Sequence, residues 1–274
     1  MTAFVIHASR DRLLIASDTL GYSITSPPKP LGFVQKIVHF PHLRAALFGR
    51  GALAILATAA GHLMLRHLAH DFDAAAKELP GILREVTALY AEGQGIENHE
   101  DLMLFEALFA GWSASAGRMR VLAFRNYENF EPIDDAGQTG LSCLPVLPTE
   151  YLPRDAAGLP VERQMVAIMH ALRRYLADHP EVVPAIIGGE IEITEITRSG
   201  VSSRMVHRFD DYEQTLIAAG AVSARFARGN AQIDVAALCR VDEAVPDAPG
   251  GPAPSRAERR RLEHMARKAG RRAA

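Results

Sequence analysis

Residues 1–19 read MTAFVIHASRDRLLIASDT, and this stretch decides the fold. Ala3–Ala8 and Leu13–Ala16 are runs rich in aliphatic and β-branched residues, separated by the polar SRDR. That pattern predicts two strands joined in a hairpin. Asp18 follows the second strand directly, and Thr2 stands just ahead of the first. No basic segment followed by an apolar stretch opens the sequence, so no secretory signal is expected.

Working outward, Gly21–Ser26 reads as a short strand that the PPKP at 27–30 ends, because proline cannot donate to a ladder. Gln35–Phe40 and Leu43–Phe48 form a second hairpin around Pro41-His42. From Gly51 to about His70 the residues are mostly Ala and Leu, good helix formers. Ile82, Leu83, Val86, Leu89 and Tyr90 then recur at helical spacing, with Pro80 marking the start of that helix or a kink. EALFAGWS and MRVLAF are strand runs split by the turn ASAG, and NFEPIDD and GLSCL read as shorter strands. Val161–Ala177 carries one broad apolar face and predicts a third helix. A hairpin follows in GEIEITEITRSG and VSSRMVHRF, then a last apolar segment over 232–241. Antiparallel hairpins with segregated helices predict an α+β fold, two stacked sheets flanked by helices in a four-layer αββα sandwich. The domain is expected over 1–244, a Pro/Gly linker over 245–255, and a basic helical or disordered tail over 256–274.

The 274 residues are 48% hydrophobic and 23% charged, ordinary for a globular chain long enough to bury a sizeable core. The formal charge of −2 is unevenly placed. Eight Arg or Lys between Arg256 and Arg272 stand against Glu258 and Glu263, which leaves the remainder acidic. Such a tail can dock on an acidic protein surface or bind phosphates. It lacks aromatic residues for base stacking, so base reading is not expected, and a solvated or protein-docking tail is favoured over nucleic-acid binding. The longest apolar run, Ala52–Gly61, is too short to span a bilayer, so no membrane association and a cytoplasmic location are expected. Cys143 and Cys239 read as two buried thiols. His62, His67 and His70 lie near one another on the first helix without an acidic or thiol partner to complete a ligand set, and neither metal nor cofactor is expected.

Thr2, LIASDT at 14–19, QKI at 35–37, FGRG at 48–51, AGWS at 110–113 and GGEIEI at 188–193 occur in an order and spacing that resembles the N-terminal nucleophile hydrolases. The resemblance is to proteasome β-type subunits and their bacterial relatives, over roughly residues 2–208. It implies a threonine hydrolase acting on peptide or other amide bonds, and a homo-oligomer, often a ring. A threonine hydroxyl is a weak nucleophile and needs a base. Once Met1 is removed, the α-amine of Thr2, with a pKa of about 8, can accept that proton. By the resemblance, Lys36 lowers the nucleophile's pKa, Asp18 orients Lys36, and the backbone N–H of Gly49 serves the oxyanion hole. Glycine suits the last role because a side chain would crowd the substrate. Lys29 is a weaker alternative to Lys36. The family pattern also has a Ser after the mid-chain strands, where Thr139 or Ser142 could stand, and an Asp and a Ser before the Gly-Gly, where Pro184 and Ile187 stand instead. Those departures imply the alternative of an inactive scaffold or assembly protein that recruits a partner through its tail.

Overall fold

In β1 (Phe4–Ala8) and β2 (Arg12–Asp18) successive side chains point to opposite faces. Phe4, Ile6, Leu13 and Ile15 enter one apolar cluster, and Val5, Leu14 and Ala16 another. Both faces of this hairpin are therefore buried, which is why its strands are apolar at nearly every position. The computed structural model describes residues 3–23, 29–65, 69–96, 105–134, 140–179 and 186–229, the last nine as backbone only.

The remaining strands are β3 (Leu20–Tyr22), β4 (Pro30–Phe33), β5 (Ile37–Phe40), β6 (Ala45–Arg50), β7 (Glu106–Ser113), β8 (Arg118–Arg125), β9 (Ile133–Asp134), β10 (Gly140–Leu144), β11 (Glu190–Thr197) and β12 (Gly200–Arg208). The helices are α1 (Leu53–Leu65), α2 (Phe72–Gly93), α3 (Val161–Asp178) and α4 (Tyr212–Gly229). Two five-stranded sheets result, ordered β10-β1-β2-β11-β12 and β5-β6-β7-β8-β9, with β3 and β4 forming a separate ribbon. Every described pairing is antiparallel. This is the α+β class expected from the hairpins.

The described residues form three apolar clusters. Leu56, Leu63, Leu79, Leu83 and Val86 of α1 and α2 meet Leu47, Phe109 and Phe124 of the second sheet. Met165, Met169 and Leu172 of α3 meet Val5, Leu14 and Ile193 of the first sheet. Phe4, Ile15, Phe48, Leu108 and Val121 bring residues of both sheets together. Each fully buried side chain of this kind contributes about 1.5–3 kcal/mol.

Several expectations change. The second helix starts at Phe72, well before Pro80, with the Asp71 carboxylate accepting from the N–H of Ala74 as its cap. PPKP is only partly a stop, since Pro30 opens β4 opposite Tyr22 at a shifted register. GLSCL leaves its sequence neighbours and pairs with β1 in the first sheet. Helix α4 was not expected. Its start signal was the acidic DDYE at 210–213, but small residues such as Ala218, Ala219 and Gly220 blur its apolar face. The described residues all belong to one unit. The segment 232–241, the linker and the basic tail lie outside the described residues. Among those described, no helix is long and apolar enough to cross a membrane.

Candidate active site

Asp18 closes β2, where the register sets its neighbour Ser17 opposite Phe4 at the start of β1. Its side chain is fully buried. Oδ1 accepts a hydrogen bond from Lys36 Nζ at 2.7 Å, and Oδ2 accepts one from the backbone N–H of Gly188 at 3.1 Å. Lys36 precedes β5 and is only 5% exposed, so it is no solvated strand-edge lysine. Burial pulls the Lys36 ammonium below its ordinary value, and the charge and hydrogen bond of Asp18 oppose that pull. Burial pushes the Tyr22 phenol up, and the charge of Asp18 pushes in the same direction.

The backbone around Asp18 is held from two sides. Thr19 N–H donates to the carbonyl of Glu190, Thr19 Oγ1 accepts from Glu190 N–H, and Leu20 N–H donates to the carbonyl of Gly188. Gly189 has φ +78°, and a Cβ there would lie 2.5 Å from Thr19 Oγ1. The Gly-Gly turn is thus what lets β11 approach the Asp18–Thr19 backbone closely enough for these bonds. The Gly188 amide was missed as an Asp18 partner in the sequence, where the GG dipeptide is visible but its position across the sheet is not.

Gly49 is the penultimate residue of β6 and lines a small pocket whose walls include Lys36, Gly51, Leu53, Leu56 and Phe105. The structure gives a steric reason for a glycine at this position. A Cβ at Gly49 would stand 2.2 Å from the backbone carbonyl oxygen of Glu106 on β7, so close strand approach alone demands it. Lys29 is exposed and lies apart from Asp18's bonds. Ser142 sits exposed on β10 opposite Ile6, and Ile187 is buried in the cluster beneath α3. Thr2, Thr139, Pro184 and His67 fall outside the described residues. Cys143 is half-buried with a free thiol, which burial shifts upward in pKa, while Cys239 lies outside the described residues.

No protein-family model matches the sequence, and no curated protein matches it significantly. Solved structures do. The fold is shared with Anbu. A structure of the helical assembly of the Anbu complex from Pseudomonas aeruginosa matches with a TM-score of 0.53 at 16% identity, covering 90% of this chain and 98% of that one. Anbu from Yersinia bercovieri, described as an ancestral β-subunit, matches at 0.51 and 13% identity, covering 85% and 98%. A Gly-1 mutant of Anbu from Hyphomicrobium sp. strain MC1 matches at 0.52 and 14%, with the same coverage. At these identities the likeness to Anbu is one of fold.

Proposed function

We propose that this chain is a four-layer αββα N-terminal threonine hydrolase that cleaves peptide or other amide bonds. The observation that carries the proposal is the buried Asp18–Lys36 pair, 2.7 Å long, set beside the start of β1. Cleavage of the bond before Thr2 frees its α-amine. That amine takes the hydroxyl proton as Oγ1 attacks the scissile carbonyl. Lys36 supplies a nearby positive charge that favours the alkoxide, and Asp18 fixes where that charge sits. The N–H of Gly49 donates to the developing oxyanion, and the amine returns its proton to the leaving nitrogen. Water then hydrolyses the acyl-enzyme by the same route in reverse.

Burial matters to this role. An ammonium held out of water acts through a lower local dielectric than a surface lysine, so its field on a neighbouring hydroxyl is larger. Ala3 and Phe4 are both buried, which anchors the chain immediately after the proposed nucleophile. The helical assembly known for the Pseudomonas Anbu complex supports proposing a homo-oligomer here as well. A cytoplasmic location and a docking role for the basic residues 256–272 complete the reading.

The test is covalent. A β-lactone or epoxyketone should form one adduct, on Thr2, and substitution of Lys36 by Met should slow it by orders of magnitude. A chain whose Thr2 amine stays blocked overturns the reading. The second reading is a non-catalytic scaffold that keeps the fold. It is favoured by Ile187, buried among apolar side chains where the resemblance implies a serine. It expects a free Thr2 that no electrophile labels.

A further inference from the structure

A glutamate that the mechanism does not use stands next to Gly49. Glu106 opens β7 and is 1% exposed. The register sets Arg50 of β6 opposite it on one side and Arg125 of β8 on the other. Its Oε2 accepts from Arg50 Nε at 2.9 Å and also from Arg50 Nη2, and its Oε1 accepts from Arg125 Nε at 2.8 Å. Arg50 is 14% exposed and Arg125 26%. The carboxylate is thus held by charge-assisted bonds from both flanking strands, in a row across the sheet.

The row ends on a weak point of the backbone. Arg50 lies between Gly49 and Gly51, and Gly51 has φ +112°. Two glycines in three residues leave this turn with little intrinsic preference for one conformation. Glu106 meets the turn twice: its carboxylate grips the Arg50 side chain, and its own carbonyl packs against Gly49. Glu106 is itself held. Next to it, Phe105 N–H donates to Asn126 Oδ1 and Asn126 N–H donates to the carbonyl of Phe105, both at 3.1 Å, with Asn126 buried.

We propose that Glu106 is a positioning residue that sets the direction of the Gly49 N–H by clamping Arg50 against Arg125 across β6, β7 and β8. The inference rests on the reading of Gly49 as an oxyanion donor. Glu106 touches neither substrate nor nucleophile in this role. It acts through the turn.

The experiment compares Glu106→Gln with wild type in two readouts, amide hydrogen exchange over residues 48–53 and the rate of Thr2 labelling by a β-lactone. Leu83→Ala, a cavity in the α2 core, controls for general loosening. Glu106→Gln should speed exchange over 48–53 beyond the control and slow labelling roughly tenfold or more, the range typical of lost supporting contacts. Arg125→Gln, which leaves the Arg50 bond intact, should give a smaller change of the same sign and serves if Glu106→Gln does not fold. Unchanged exchange over 48–53 overturns the inference, as does a labelling rate that falls no further than in Leu83→Ala. Should wild type show no labelling, the hydrolase reading fails, and the exchange data alone still decide whether Glu106 sets the turn.

Discussion

The interior beneath α2 and the end of β2 around Asp18 are both buried, yet they are built differently. Beneath α2, Leu79, Leu83 and Val86 press on Phe109 and Phe124 with no charged side chain among them. At the strand end, Asp18 and Lys36 are nearly as inaccessible, but they are ionisable and bonded to each other. Apolar packing stabilises without specifying any one partner. A buried ion pair gives little or no net stability relative to an apolar pair of similar size, and breaking it is costly. Keeping one at the end of β2 makes sense where a fixed charge has a task, and less sense where only stability is needed.

This contrast can be tested by making holes in both places. Lys36→Met leaves Asp18 buried with the Gly188 amide but without its cation and should cost about 3–5 kcal/mol, read as a shift in the denaturation midpoint. The double variant Asp18→Asn/Lys36→Met should recover much of that loss, because no uncompensated charge remains. Recovery of stability without recovery of Thr2 labelling would separate the pair's structural cost from its proposed chemistry. Leu83→Ala should cost about 2–5 kcal/mol with no partner substitution of this kind to rescue it.

A smaller effect comes from the contact between α3 and β12. His170 Nε2 and His207 Nε2 lie 2.9 Å apart, joining α3 to β12. Burial holds the His170 pKa below its ordinary value of 6.5, and the charges of His207, Arg173 and Arg174 push the same way against Asp210. A depressed folded-state pKa means that the unfolded chain binds the proton more readily. The contribution is therefore present above pH 6.5 and is lost as pH falls from there towards the folded value. Melting temperature should drop on acidification through that window, and His170→Phe should make the drop shallower.

How much of this was legible in the sequence differs by element. β1, β2 and α3 could be read because their patterns are strong: apolar runs around SRDR, and one broad apolar helix face. Asp18 and Lys36 could be named as site candidates from a resemblance, which also implied that Asp18 orients Lys36, but the burial of the pair could not be read, since it arises only when the β3–β4 ribbon folds between them. Glu106 stayed hidden for a related reason. Arg50, Glu106 and Arg125 are each an ordinary charge at a strand end, and only the register of three strands makes them a row. The pairing of β10 with β1 is equally non-local. Gly49 shows a different limit: the sequence shows a glycine there, but not that the Glu106 carbonyl would stand against any side chain at that position.

In the proposed hydrolase, Thr2 is the reactive nucleophile and Lys36 raises its reactivity. Intact mass of the native protein after exposure to a β-lactone, with the adduct placed by peptide sequencing, tests it most directly. The expected result is a chain that begins at Thr2 and carries a single adduct on that residue, absent in Thr2→Ala and strongly slowed in Lys36→Met. A chain with a free Thr2 that stays unlabelled, or one labelled equally fast without Lys36, would contradict it.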